Sequence, residues 1–141
     1  MTQRPRSLCP ISLALDLFGD AWSLLIIRDL MFKGLSSYNG FLAAGEGIST
    51  NVLSDRLAKL EAEGIIAKRR DPQDGRRFIY RLADKGAELA PVLISIVIWS
   101  AKHTPTDAPP ALVSAMAADP QSFARSAMQR VMDVEAEAAP R

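Results

Sequence analysis

Residues 68–78 read KRRDPQDGRRF. Asp71-Pro72 and Asp74-Gly75 are turn pairs, and residues 65–70 and 76–82 on either side read as strands. Phe78, Tyr80 and Leu82 alternate onto one face, so the stretch is predicted to be a β-hairpin. Its charge is unusual. Lys68, Arg69 and Arg70 precede the turn and Arg76 and Arg77 follow it, although like charges facing one another across strands repel. A core has no use for five cations, which points to an anion outside the chain. The same residues also suit a solvated sheet edge, where Lys and Arg discourage aggregation. The neighbouring segments decide between these readings.

Immediately upstream, residues 47–64 read GISTNVLSDRLAKLEAEG and predict a helix over 49–63. Ser49 is a good N-cap, and Ile48 can staple onto Leu53. Leu53, Leu57 and Leu60 share one face at about 100° per residue. Asn51, Ser54, Asp55, Ala58 and Lys59 fall on the other, and Gly64 ends the helix. Taken alone this is also the pattern of a solvated surface helix.

Further upstream, Pro10 opens a helix over ISLALDLF that stops at Gly19. Asp20 caps an apolar helix, AWSLLIIRDLMF, closed by Gly34. A short third helix is predicted from Tyr38 to Ala43, although Gly40 inside it costs about 1 kcal/mol relative to Ala. Downstream, one long helix is predicted from Asp84 to His103, kinked at Pro91. Between Leu89 and Trp99 it is apolar nearly all round, as in a helix buried on more than one side. A second copy of the chain can cover the surplus. The Pro-rich TPTDAPPA (104–111) breaks the chain, and Asp119-Pro120 starts a last amphipathic helix. Phe123, Met128, Val131 and Met132 are its apolar members.

Four helices, a basic hairpin and a long helix, in that order, make the chain mainly α, a winged helix-turn-helix with a two-stranded wing. The expected organisation is an N-terminal arm (1–8), a winged helix-turn-helix and dimerisation domain (9–103) and a C-terminal helical extension (104–141). In such a fold a helix with short hydrogen-bonding side chains at its N-terminal end enters the major groove. Cations on the hairpin reach phosphates or the minor groove. Thr50, Asn51, Ser54 and Asp55 are the expected groove readers. Arg56, Lys59, Arg76 and Arg77 are the expected phosphate or minor-groove contacts. The alternative function is a winged-helix module that binds another protein and not DNA.

Charge distribution agrees with a nucleic-acid partner. Net charge over the 141 residues is only +1, but residues 66–81 carry six Lys/Arg against two acids. Residues 104–141 carry three Arg against five acids. The hydrophobic fraction of 48% and charged fraction of 23% suit an ordinary soluble domain.

The segments CPISLALDLFGDAWSLLIIRDLMFKG, SSYNGFL, GISTNVLSDRLAKLEAEGII, YRLADKG and PVLISIVIWS resemble the HxlR-type winged helix-turn-helix regulators over about residues 9–103. The turn DPQDGRR is similar to the wing of their MarR-type relatives. The resemblance implies a cytoplasmic prokaryotic transcription factor that dimerises through its first and long C-terminal helices. Around the third helix, where family members often carry charged residues, this chain has Ser36, Ser37 and Gly40. The extension after residue 104 has no counterpart in the minimal family pattern. Some HxlR-type regulators sense oxidants or electrophiles through an N-terminal cysteine before proline, the position of Cys9 here, so a small-molecule or oxidant effector is a possible partner. A thiol near a helix N-terminus gains reactivity, while free cysteine equally serves as a small buried apolar group.

Other chemistries are excluded. With His103 the only histidine and Cys9 the only cysteine, no Cys/His zinc site and no intramolecular disulfide can form. There is no Gly-x-Ser-x-Gly elbow, and Gly45-Glu46-Gly47 does not leave a strand as a phosphate cradle must. No enzyme activity and no cofactor are expected. MTQRPRSLCP lacks the apolar core of a secretory signal, and the run from Leu89 to Trp99 is shorter than the about 20 residues of a membrane span. A cytoplasmic location without membrane contact is expected.

Overall fold

A computed structural model of the chain describes residues 4–138, and side chains as far as residue 134. Residues 1–3 of the expected arm and 139–141 of the extension lie outside the described residues. The elements run α1 (Pro10–Phe18), α2 (Ser23–Met31), α3 (Tyr38–Leu42), α4 (Thr50–Ala62), β1 (Ile66–Arg70), β2 (Phe78–Leu82), α5 (Asp84–Ala87), α6 (Ala90–His103), α7 (Pro110–Ala118) and α8 (Pro120–Ala138). This is a mainly helical winged helix-turn-helix. Its one sheet among the described residues is the antiparallel β1–β2 hairpin, with Ile66 opposite Leu82 and Arg70 opposite Phe78.

The centre of the molecule is built from α2, α4, the foot of the hairpin and α6. Ile27, Leu53, Leu60, Ile65 and Ile94 are fully buried there. Helix α4 contributes the stripe Leu53, Leu57, Leu60, as its periodicity requires. Gly64, at φ +74°, then turns the chain out of the helix, a left-handed conformation that glycine adopts without steric cost. Gly86 serves a different need. A Cβ there would lie 2.3 Å from the Ile65 carbonyl oxygen, so α5 can rest on the start of the hairpin only because this position has no side chain.

The C-terminal half departs from the predicted plan in three places. The long helix is two: α5 stops at Ala87 and α6 begins at Ala90, with Pro91 in its first turn. Proline lacks the N–H that an interior turn would use, but the first turn of a helix leaves that donor unpaired in any case. Pro91 therefore starts a helix and does not kink one. The expected Pro-rich break at 104–111 is shorter: residues 110–118 form α7, again with proline at its start. In α8, Met132 is 46% exposed, and the buried stripe is Ala124, Ala127 and Val131. Phe123 and Met128 flank it, half-buried. Small residues let α8 lie close along α6, and with Met116 of α7 they belong to the same hydrophobic core as Leu53.

Among the described residues, apolar stripes on two helices are uncovered. Val92, Ile96 and Trp99 lie on one side of α6, and Ile11 and Leu15 on one side of α1, all more than a third exposed. Among the described residues no single helix is long and apolar enough to cross a membrane.

Candidate nucleic-acid interface

The presented helix is α4. Its N-terminus is closed by Ser49, whose hydroxyl accepts from the Val52 N–H at 3.3 Å. Helix α3 is capped in the same way by Ser37, which accepts from the Gly40 N–H at 3.0 Å. The two helices are joined at their polar ends by Tyr38. Its hydroxyl donates to the Thr50 carbonyl at 3.0 Å and lies 3.1 Å from the Ser54 hydroxyl. Behind them, Arg28 fixes the loop between α3 and α4, reaching Glu46 at 2.8 Å and the buried Asp29 through two donors at 2.8 and 3.0 Å. The Arg28 hydrogen bond holds the Glu46 carboxyl below its ordinary range.

The expected groove readers share one exposed surface. Thr50, Asn51, Ser54 and Asp55 are all exposed, opposite the buried leucine stripe. The expected backbone contacts divide. Arg76 and Arg77 stand out at the turn, with side chains 91% and 69% exposed. Arg56 does not stand free: it donates to Asp20 at 2.9 Å and pairs with Asp55. Lys59 donates to the Asp16 carbonyl at the end of α1, at 2.8 Å. Both residues tie α4 to the helices behind it. Tyr38 and Asp20, which do this positioning, were missed as site residues. The signal for Asp20 was present in its capping position, but its reach to Arg56, 36 residues away, is set by the tertiary fold.

The hairpin manages its own charge. Asp74 accepts from the Arg76 backbone N–H and from its guanidinium, both at 3.1 Å, and lies 3.5 Å from Arg77. The Arg76 hydrogen bonds hold the Asp74 carboxyl below its ordinary range. Arg70 donates to the Gly75 carbonyl at 2.6 Å, bracing the turn. On the strands, the Lys68 ammonium sits 4.4 Å and the Arg70 guanidinium 5.1 Å from the centre of the Phe78 ring. A ring face attracts cations, so Phe78 eases the repulsion among them. The wing tip presents Arg76 and Arg77 while the stem keeps Lys68 and Arg70 against the ring.

Cys9 is exposed and forms the N-cap position of α1, its backbone N–H donating to the Ser7 hydroxyl at 3.3 Å. It is not the small buried group that a free cysteine often is.

A helix-turn-helix flanked by a basic β-hairpin defines the winged-helix class. The chain matches the HxlR-like helix-turn-helix family over residues 17–108 and belongs to it. It is 40% identical over 89 residues to the uncharacterised HTH-type transcriptional regulator sll1512 of Synechocystis, the match covering 63% of this chain and 65% of that one, less than two thirds of its length. The fold is similar to that of PA1607, assigned as a transcription factor, with a TM-score of 0.66 and 33% identity over 77% of this chain and 74% of the other. It is also similar to the redox regulator HypR in its reduced form, with a TM-score of 0.60 and 26% identity over 67% and 92% of the two chains. The family and these neighbours are transcriptional regulators and not enzymes. The family match ends before α7 and α8 begin.

Asp20 gives the interface a measurable pH signature. Burial by itself raises its pKa. Hydrogen bonds from the Ser23 hydroxyl, the Trp22 N–H, the Arg56 guanidinium and the Ser23 N–H outweigh this and hold the carboxyl well below the ordinary carboxylate range. A group depressed in the folded state contributes stability that is full above its ordinary value of 3.8 and is lost as pH falls toward the folded value. Asp20→Asn is therefore expected to cost about 1.5–3 kcal/mol at pH 7, in the range of charged hydrogen bonds. Urea unfolding of both proteins across pH should show that gap constant near neutrality and narrowing below about pH 4. A gap that widened with acid would exclude this role for Asp20.

Proposed function

We propose that this chain is a homodimeric transcriptional regulator that binds duplex DNA in the cytoplasm of a prokaryote. Helix α4 enters the major groove and the wing tip meets phosphates or the minor groove. Family membership supports this reading. The observation that carries it is the division of α4 into a buried leucine stripe and an exposed row, Thr50, Asn51, Ser54 and Asp55, of short polar side chains. Arg76 and Arg77 supply the backbone contacts. Arg56 and Lys59 join them only with donors that Asp20, Asp55 and Asp16 leave unused.

The two parts fail differently when altered. Phosphate contacts carry little sequence information, and losing one lowers the salt slope of binding by about one unit. Arg77→Ala should weaken binding to operator and random duplex alike. Asn51→Ala removes an amide suited to adenine, worth about 1–3 kcal/mol of discrimination, and should weaken operator binding only. The operator is first obtained by selection from random duplex. A flat salt dependence for the parent protein would instead favour a protein-binding module.

The dimer is supported by the uncovered stripes of α1 and α6. Burying one such side chain contributes roughly 1.5–3 kcal/mol, so leaving several in water is costly. Light scattering at micromolar concentration should give a dimer for the parent and a monomer for the double variant Ile96→Glu, Trp99→Glu. A monomeric parent would rule the dimer out.

The proposed effector is an oxidant acting on Cys9. Its exposure at the head of α1 and the likeness to HypR support this. With one thiol per chain, oxidation by diamide takes two electrons and two protons from two thiols and joins Cys9 to a second chain or to a small thiol. Duplex affinity of the parent should shift by about fivefold or more on diamide treatment, and Cys9→Ser should not respond. An equal response in both removes Cys9 from this role.

A further inference from the structure

What the exposed row of α4 can recognise depends on where its hydrogens point. A serine hydroxyl has one hydrogen and two lone pairs, so an unconstrained serine donates or accepts and meets either kind of base edge. Ser54 is exposed on that row, but its hydroxyl is not unconstrained. The Tyr38 hydroxyl lies 3.1 Å from it and 3.0 Å from the Thr50 carbonyl oxygen.

Counting hydrogens fixes the direction of both contacts. The Thr50 carbonyl has none to give, so the Tyr38 hydroxyl donates its single hydrogen there. The opposite assignment would set two oxygens lone pair to lone pair at 3.0 Å. With that hydrogen spent, the contact to Ser54 forms only if Ser54 donates to the Tyr38 oxygen. Ser54 then keeps lone pairs, and no hydrogen, for whatever meets the row. The arrangement is held from both sides, since the Tyr38 ring packs against the core at the start of α3 and Thr50 opens α4. Asp55, the next residue along, has a side chain 68% exposed, and a carboxylate also only accepts. Two adjacent positions of the row thus present acceptors alone.

We propose that Tyr38 is a specificity-determining residue: by taking the Ser54 hydrogen it makes Ser54 a reader of base amino groups, those of cytosine or adenine. In the major groove these amino groups are the donors, whereas the guanine and thymine carbonyl oxygens and the purine ring nitrogens are acceptors. A serine oxygen facing a carbonyl oxygen makes no hydrogen bond, and both groups lose the water they gave up. Each base pair carries one amino group in this groove. The restriction therefore fixes which strand of the pair holds cytosine or adenine. The inference rests on the DNA-binding reading of α4 and goes beyond it, for that reading alone leaves Ser54 open to either kind of edge. Tyr38 acts through Ser54 and touches no base.

Competition binding of the full chain to the selected operator, and to operators changed one base pair at a time, tests this. For the parent, one position under each recognition helix should prefer cytosine or adenine over guanine or thymine by about tenfold, the effect of one hydrogen bond made or left unmade. Ser54→Ala should lose that preference and so identify the position. Tyr38→Phe keeps the packed ring and frees the Ser54 hydrogen. It should reduce the preference at the same position to about threefold or less and leave affinity for random duplex unchanged. The double variant should match Ser54→Ala, because Tyr38 then has no hydroxyl to restrain. The proposal is overturned if no amino preference depends on Ser54, or if Tyr38→Phe keeps the parent's preference. It is also overturned if Tyr38→Phe weakens all duplexes alike with the preference intact, as a residue that merely holds α4 in place would. A parent that binds no duplex removes the DNA reading and this one together, whereas the other adverse results remove this one alone.

Discussion

The orientation of α4 depends on one carboxylate. Asp20 sits in the turn between α1 and α2, two residues before the Trp22 N-cap, where it accepts from the Trp22 and Ser23 N–H groups and from the Ser23 hydroxyl at 2.6 Å. Its remaining capacity goes to Arg56 on the middle of α4. Hydrophobic packing of Leu53, Leu57 and Leu60 holds α4 against the core but is non-directional. Rotation about the helix axis is resisted by directional contacts: Asp20 with Arg56, Tyr38 with the Thr50 carbonyl, and Lys59 with the Asp16 carbonyl. These lie on both sides of the leucine stripe, so the exposed row from Thr50 to Asp55 has a defined direction.

The wing follows a different physical rule. An exposed hairpin with so many cations has neither a buried core nor a strong network to stiffen it. Local neutralisation does the work. Asp74 balances the tip, the Phe78 ring accommodates Lys68 and Arg70, and Arg70 braces Gly75. At the opposite end, Tyr80 donates its backbone N–H to the Ser36 carbonyl at 2.8 Å, so the segment after α2 continues the sheet edge. The hairpin is thus fastened at its foot and solvated at its tip.

Local signals made the helix-turn-helix legible. Ser49, Ile48, the leucine spacing and Gly64 all act within a few residues, and each gave the right boundary for α4. The errors arose where two local rules compete or where burial is decided far away. Pro91 reads as a kink or as a helix start, and the end of α5 at Ala87 makes it the second. Helix α7 has little polar contrast between its faces, so periodicity could not reveal it. In α8 the large side chains invited a stripe through Met132, whereas close approach to α6 required Ala124 and Ala127. Arg56 and Lys59 read as cations on an exposed helix because their partners lie 36 and 43 residues earlier in the chain.

The small residues of α8 connect these observations. A helix with Leu at 124 and 127 would stand off from α6 and β2, by the usual response of packed interiors to added volume. With alanine there, α8 approaches closely enough for Arg130, Val131 and Val134 to reach a cavity beside the wing stem. The extension is therefore a structural neighbour of the wing and shares the core that carries α4. Among the described residues, the α4–wing face and the apolar stripes of α1 and α6 are exposed surfaces. They are built on one set of buried residues, from Ile26 to Val131. A shift of α8 acts on the same core that fixes α4, through the packing already present.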